Sequence, residues 1–240
     1  MSDIPHDRQI LDILKNYSIF HGVDARKIQE EFLPAMELAH FRKRSSNGGF
    51  VTDDYFYIIT RGMVHGFLTN QEGERKVSVF VLKPGDGFDI LTLLGERKNK
   101  VSYSCLGREV TCLKIPLEVM RDWAMKEPAI SKALLLYMAR LLVELEELVF
   151  DLSICDTGTR LVKLLLRHSN ASLQRDHGTP VLHHLTHEEL ASLIGSVRVV
   201  VSRQVQRLKR MSLVEVEKGK IIIKDLKALI KMLEKQEKDK

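Results

Sequence analysis

The chain has 240 residues, of which 44% are apolar and 29% are charged. This composition is typical of a globular protein that buries a core, and it excludes a largely disordered one. The longest apolar stretch is interrupted by charges, and the amino terminus lacks the charged-then-apolar pattern of a secretory signal. We therefore expect a cytoplasmic protein without a membrane span.

The charge is unevenly distributed along the chain. Residues 156–240 contain 17 Lys and Arg against 10 Asp and Glu, whereas residues 1–155 contain 20 against 22. A basic third on a nearly neutral body predicts a polyanionic partner at the carboxyl-terminal end only.

Short strands are predicted from about residue 41 to residue 115. Apolar and β-branched clusters at 56–59, 77–82 and 110–113 alternate with glycine-rich turn signals such as Pro84-Gly85-Asp86-Gly87. Closely spaced short strands with glycine turns indicate a small barrel or sandwich.

The hydrophobic period changes after Pro128 to that of a long helix. Its apolar residues follow the 4-3-4-3 spacing of a heptad seam, with three glutamates off the seam. We predict that this seam pairs with the same helix of a second subunit, while the neighbouring Leu135 and Leu142 dock the helix onto the barrel. The alternative is a helix packed only on its own domain. The predicted dimer seam comprises Leu134, Met138, Leu141, Leu145, Leu148 and Leu152.

Residues 186–223 contain the most specific local pattern. Thr186-His187-Glu188-Glu189 forms a capping box, and Gly195 ends the short helix that the box begins. Ser196 is predicted to cap a second helix that runs to about Met211. Two short helices joined by a glycine turn are the signature of a helix-turn-helix. The buried face of the second helix is predicted to contain Val197, Val200, Val201, Val205 and Leu208.

The second of these helices is basic. It carries Arg198, Arg203, Arg207, Lys209 and Arg210, and no acidic residue occurs from residue 190 to residue 214. A helix whose charged residues are all positive favours binding in a groove of DNA. The alternative is a basic subdomain that contacts another protein. Two strands around Lys218-Gly219 predict a β-hairpin wing.

These motifs resemble the cAMP receptor protein/fumarate-nitrate regulator (CRP/FNR) family over nearly the whole chain. The resemblance implies an α+β fold with a cyclic-nucleotide-binding-like β-barrel (jelly roll), a long dimerisation helix and a winged helix-turn-helix. The implied domains are residues 1–127 for effector sensing, 128–155 for dimerisation and hinge, and 156–240 for DNA binding. The resemblance to the family is carried by four motifs. They are Tyr57-Ile58-Ile59-Thr60-Arg61-Gly62, the Pro84-Gly85-Asp86 turn, Met138-Ala139-Arg140 and Leu190-Ala191-x-x-Ile194-Gly195…Arg198-x-x-Val201-Ser202-Arg203.

The resemblance also implies a homodimer on a two-fold symmetric operator in double-stranded DNA, with RNA polymerase as a further partner if the protein is an activator. The implied base readers are Arg198, Val199, Ser202 and Arg203. Val199 stands where many members have a cytosine-reading glutamate, and a valine can contact a thymine methyl. The sequence of residues 198–203, Arg-Val-x-Val-Ser-Arg, is similar to that of the cyanobacterial nitrogen-control subgroup of the family. Phosphate contacts are implied for Thr186, Ser196, Arg207 and Lys218.

The family's pocket implies a small-molecule effector, and its cyclic-nucleotide signature is altered here. Asp89-Ile90 replace a Gly-Glu pair, Lys100-Val101 replace an Arg-Ser pair, and Leu145-Glu146 replace two hydroxyl residues. These changes argue against cAMP. The pocket residues implied are Phe88, Asp89, Ile90, Leu91, Lys100, Val101, Arg140 and Leu145.

Several identities for the effector stay open. Haem bound through His65, in a gas or nitrosative-stress sensor, is one alternative, and a cyclic-nucleotide-responsive regulator is another. A thiol switch or an anionic metabolite is also open, the latter with Lys100, Arg61 or Arg140 as the counter-charge. The three cysteines Cys105, Cys112 and Cys155 are too few for a four-thiolate iron–sulfur cluster. No nucleophile–base pairing, phosphate-cradling loop or zinc spacing occurs, so we expect no enzyme and no metal site.

Overall fold

The computed structural model describes residues 14, 18–43, 50–70, 76–95, 100–169, 179–183, 185–217 and 220–238. The chain divides into two compact units, one formed by residues 1–68 and 79–145, the other by residues 69–78 and 146–240. The long helix contributes residues to both units. The domain limits expected at 127/128 and 155/156 stay predictions.

The amino-terminal unit is built on an antiparallel sheet. Its strands are β1 (Glu37–Arg42), β2 (Tyr55–Thr69), β3 (Lys76–Leu82), β4 (Gly87–Phe88) and β5 (Ser102–Pro116), in the order β1-β5-β2-β3 with β4 paired to β2. The strands predicted from the apolar clusters are confirmed. At Gly62 β2 bends with φ +84°, and a Cβ there would lie 2.5 Å from the carbonyl oxygen of Glu109. Only glycine fits this bend.

Helices close one side of this unit over an apolar core. Short helical turns at Ser18–Phe20, Ala25–Lys27, Ile28–Phe32 and Leu33–Ala35 precede the sheet. Helix α1 (Ile90–Leu94) follows β4, and α2 (Leu117–Lys126) and α3 (Pro128–Ile154) follow β5. Part of the core is aromatic: the rings of Tyr57 and Phe88 stack with centroids 5.1 Å apart and planes within 8°.

Helix α3 buries a different face from the one we predicted. Leu134 is only 2% exposed, and Met138 and Leu141 pack against the same core. Leu135 and Leu142, which were expected to dock on the barrel, are 68% and 60% exposed. The predictions for Leu134 and Leu135 are therefore wrong, whereas Leu142 borders a pocket against the sheet despite its exposure. Two neighbouring stripes of this helix carry apolar residues at heptad spacing. The spacing alone does not tell which of the two stripes packs against the sheet.

Within its described residues, the carboxyl-terminal unit contains four helices and a small sheet besides the end of α3. Its helices are α4 (Thr157–Arg167), α5 (His187–Leu193), α6 (Arg198–Arg210) and α7 (Leu226–Lys238). Strands β6 (Thr179–His183), β7 (Val214–Glu217) and β8 (Lys220–Ile223) pair antiparallel in the order β6-β8-β7. The predicted helix pair and β-hairpin are confirmed. Of the helices that the structure describes, none combines the length and apolarity needed to cross a membrane.

Candidate DNA interface and effector pocket

The turn between α5 and α6 is determined by local chemistry. The hydroxyl of Thr186 accepts from the amide of Glu189 at 3.2 Å, and the Glu189 carboxylate accepts from the amide of Thr186 at 2.8 Å. This reciprocal capping box starts α5. Gly195 follows α5 with φ +60°, and a Cβ there would lie 2.5 Å from Leu152 Cδ2. The glycine is therefore required both by its backbone conformation and by the close approach of α3.

The amino terminus of α6 differs from the prediction. Val197, not Ser196, is the cap residue, and its side chain makes no capping hydrogen bond. Ser196 is half-buried and donates its amide to the carbonyl of Ala191 at 2.8 Å. Val197 was expected in the buried face but is 59% exposed, so that prediction is wrong. Among the described residues, no capping bond from the side chain of Val197 satisfies the first amides of α6, where the positive end of the helix dipole lies.

Helix α6 separates a buried face from a basic one. Val201, Val205 and Leu208 are 0–3% exposed and pack into the unit. The residues predicted to read bases or contact phosphate cover the other half of the helix surface. At 100° per residue, Val199, Ser202 and Arg203 lie within this half, and Arg198 and Arg207, which are 180° apart, lie at its two edges. All of them are exposed or half-buried: Arg198, Val199, Ser202, Arg203 and Arg207. Thr186 is exposed at the start of α5, whereas Lys218 lies outside the described residues.

A small pocket of about 130 Å³ lies in the amino-terminal unit between the sheet, α1 and α3. Phe88, Asp89, Ile90, Leu91 and Leu145, all predicted as pocket residues, line it. Asp89 adopts a left-handed conformation with φ 66° and caps α1, accepting from the amide and hydroxyl of Thr92 at 3.3 and 2.7 Å. The other lining residues are Phe80, Leu82, Gly87, Tyr103, Tyr137, Met138, Leu141 and Leu142.

Arg140 is neutralised by acidic residues and does not line the pocket. Its guanidinium donates to the buried carboxylate of Asp86 at 2.6 Å and to Glu144 at 3.2 Å, and it lies 4.7 Å from the centroid of the Tyr137 ring. Burial acts to lower the pKa of Arg140, but the electrostatic interactions with Asp86, Tyr137 and Glu144 and the hydrogen bond to Asp86 together outweigh it, and the pKa is raised. Tyr137 donates its hydroxyl to the carbonyl of Gly87. Burial raises the pKa of Tyr137 well above its usual value, so the phenol stays neutral.

Three other residues considered for the effector also lie outside the pocket lining. Lys100 is exposed, and Val101 faces Gly66, whose Cβ would lie 3.2 Å from Val101 Cγ1. His65 is buried on β2 with its ring 5.1 Å from that of Phe67. The pocket is of the size that holds a single benzene ring, and a porphyrin is several times larger. The described pocket therefore does not fit haem.

The comparisons with known proteins agree with this geometry. Residues 159–232, which contain α5, α6 and the hairpin, match the Crp-like helix-turn-helix domain model. The chain is 27% identical to the global nitrogen regulator of Synechococcus elongatus over 174 residues, covering 70% of this chain and 76% of the relative. It is 25% identical to the CRP-like cAMP-activated global transcriptional regulator of Mycobacterium tuberculosis over 219 residues, covering 91% and 97%.

Residues 159–232 therefore form a Crp-like helix-turn-helix domain, and the chain as a whole is similar to transcription regulators of the CRP/FNR family. Solved structures show the same fold. The regulator CLP of Xanthomonas campestris superposes with a TM-score of 0.68 at 18% identity, covering 83% of this chain and 99% of its own. A CooA variant from Carboxydothermus hydrogenoformans superposes with a TM-score of 0.66 at 20% identity, covering 93% and 95%. The relatives are DNA-binding regulators and not enzymes.

The structure also shows a charge cluster that our sequence analysis missed. The side chain of Asp151, 8% exposed, accepts from Lys163 at 3.0 Å and from Arg167 at 2.9 Å. Cys155 donates to the same carboxylate at 3.8 Å, and Arg167 also meets Glu147 at 3.1 Å. The cluster joins the end of α3 to α4. The sequence offered one sign of this cluster. Asp151 lies in an apolar stretch at the end of the long helix, 12 residues before Lys163 and 16 residues before Arg167.

The thiols of the sheet are not arranged for reactivity. Cys105 and Cys112 are buried in the sheet core. Burial raises the pKa of both thiols, and for Cys112 the neighbouring Cys105 adds to the effect. Because the thiolate is the reactive form, these two positions are poor candidates for the thiol switch left open above. Cys155 is also buried, beside Asp151.

Proposed function

We propose that this chain is a dimeric, sequence-specific regulator that binds a two-fold symmetric operator and responds to a small effector. The observation that carries the proposal is the exposed basic face of α6, a helix that follows a tight glycine turn and whose cap residue Val197 makes no side-chain capping bond. A helix of this kind fits the major groove, with its first turns at the base edges. The proposed domains are those of the sequence analysis, residues 1–127, 128–155 and 156–240.

The roles of the exposed side chains follow from their chemistry. Arg198 and Arg203 would each donate two hydrogen bonds to a guanine, and Ser202 lies between them on the same face. Val199, 60% exposed, has no polar atom on its side chain and would contact a thymine methyl. Thr186, Ser196, Arg207 and Lys218 are proposed to contact phosphates.

The exposed apolar band of α3 supports a dimer. Its residues recur at seven-residue spacing, and each is 53–68% exposed in the single chain. A band this large, left in water, is unfavourable and is typical of a subunit interface. We propose that a second copy of the chain covers it, in place of the seam that began at Leu134. The band consists of Leu135, Leu136, Leu142, Val143, Val149 and Phe150.

Control by an effector requires that ligand binding favour one arrangement of the two recognition helices over another. The effector can shift operator affinity by no more than its differential affinity for the two arrangements. Helix α3 is the element that lines the pocket, carries the apolar band and reaches Gly195 through Leu152. RNA polymerase is the further partner if the regulator activates transcription.

Selection of operator sites from random duplex DNA, followed by gel-shift titration, tests the function. Arg198→Ala and Arg203→Ala should each weaken the selected site by about 1–3 kcal/mol and relax the preference for one base pair. Arg108→Ala, an exposed arginine of β5, removes the same charge and should leave affinity unchanged. The assignment of base readers would be contradicted if Arg198→Ala and Arg203→Ala weakened the binding of all duplexes equally. It would also be contradicted if Arg108→Ala weakened operator binding as much as they do.

Sedimentation equilibrium tests the dimer. Leu142→Glu places a charge in the middle of the apolar band and should shift the protein to monomer, because an unpaired charge in an apolar interface is costly. Leu94→Glu, on α1 and 49% exposed, is the matched control and should remain dimeric. A Leu142→Glu protein that sediments as a dimer would show that the interface lies elsewhere.

A further inference from the structure

The pocket beneath α3 is lined almost entirely by hydrocarbon. Nine of its side chains are aliphatic or phenylalanine or methionine groups, and those of Phe88, Leu82 and Ile90 are at most 6% exposed. A carbon-lined space offers a ligand dispersion contacts and release of water but few oriented hydrogen bonds.

The polar groups at the pocket are engaged within the protein. The Asp89 carboxylate caps α1 through Thr92, and the Tyr137 hydroxyl donates to Gly87. Arg140, the nearest cation on α3, lies outside the lining and is held by Asp86 and Glu144. An anion that entered the pocket would therefore lie near the buried Asp89 carboxylate, and like charges repel strongly at low dielectric.

The size of the pocket limits the ligand further. Its volume is about 130 Å³. An apolar cavity of about 150 Å³ lined by Leu, Ile and Phe holds one benzene molecule. A single aromatic ring or a short aliphatic chain fits this space, whereas a nucleotide does not.

We propose that the effector of this regulator is an uncharged, apolar small molecule of about one-ring size, bound between β4, α1 and α3. That this ligand controls DNA binding rests on the proposed function. The chemical class of the ligand is inferred from the pocket alone. Leu141 and Leu145 of α3 contact the ligand from one side, and Phe88 contacts it from the other.

Toluene and benzoate are the probes, because they share a ring and differ in one carboxylate. Calorimetric titration of the full chain should give saturable binding of toluene and a rise in Tm, since a ligand that binds only the folded state stabilises it. Benzoate should bind at least about tenfold more weakly. Benzoate affinity equal to or above that of toluene overturns the proposal.

Two variants locate the binding. Leu141→Phe fills the pocket and should abolish toluene binding, whereas Leu68→Phe makes the same change at an exposed position of β2 outside the pocket lining and should leave it intact. If Leu141→Phe does not fold, Leu145→Glu at the half-buried wall of the pocket provides the same test. Retention of toluene affinity in a folded pocket variant overturns the proposal.

Operator affinity without ligand is measured on the same samples. Failure of the unmodified chain to bind any selected duplex contradicts the proposed function but leaves the toluene result intact. Tight operator binding together with absent toluene binding contradicts only the ligand class. Toluene binding that leaves operator affinity unchanged overturns the role of the pocket as an effector site.

Discussion

Replacement of Asp151 by asparagine tests the charge cluster that joins α3 to α4. The carboxylate is 8% exposed and accepts from Lys163, whose side chain is 14% exposed, and from Arg167, which is 45% exposed. Asparagine keeps the volume but removes the charge, so the Lys163 ammonium, 14% exposed, loses its ion pair with Asp151. We expect the loss to fall mainly on Lys163, because Arg167 retains Glu147 and access to water.

The magnitude follows from the burial of the two partners. Removing one member of a buried pair costs about 3–5 kcal/mol. Partial exposure of Arg167 places this cluster at the low end, about 3 kcal/mol, which corresponds to a fall in Tm of about 6–12 °C for a chain of this size. Glu147→Gln removes an exposed partner of the same arginine and should cost less than about 1 kcal/mol.

The assay is urea unfolding followed by circular dichroism, with Tm as a second readout. In the double variant Asp151→Leu with Lys163→Leu, apolar side chains replace the pair, and the loss should be smaller than for Asp151→Asn alone. The reasoning would be refuted if Asp151→Asn lowered the free energy of unfolding by less than about 1 kcal/mol. It would also be refuted if the effects of the two substitutions in the double variant were additive. The DNA-binding unit is expected to lose operator affinity in parallel, since α4 packs on α6.

Four further predictions concern the helix-turn-helix and the sheet core. Thr186→Ala should lower stability by about 1 kcal/mol because it removes the capping box of α5, and Thr186→Ser should recover most of the loss in the same urea assay. Gly195→Ala should lower Tm by more than a cap deletion does, because the methyl group would approach Leu152 to 2.5 Å at a positive φ; a neutral effect would show that the turn can relax. Alkylation of Cys105 and Cys112 by iodoacetamide at pH 8, followed by peptide mass spectrometry, should be slow in the folded protein and fast in urea. The raised pKa of Cys112 also predicts that stability is fully present below pH 9, the ordinary pKa of the thiol, and falls as the pH rises above it, because only the unfolded state then ionises. A flat stability between pH 8 and pH 10 would contradict that burial effect.

Local signals in the sequence determined the helix-turn-helix. The reciprocal bonds of Thr186 and Glu189, the glycine at residue 195 and the one-signed face of α6 depend on residues that are close in the chain, so their spacing already specifies the geometry. The strands of the barrel followed from apolar clusters between glycine turns, and the existence of the long helix followed from its 4-3-4-3 heptad spacing.

The tertiary structure decided which face of α3 is buried and which groups the pocket contains. Leu134 and Leu135 are equally apolar neighbours, but only contact with the sheet buries the first and leaves the second in water. Arg140 could have served as a counter-charge until its pairing with Asp86, 54 residues away, was visible. Asp151, Lys163 and Arg167 form their cluster only because α3 and α4 meet. Burial and long-range pairing depend on how elements pack, and periodicity along one chain does not contain that information.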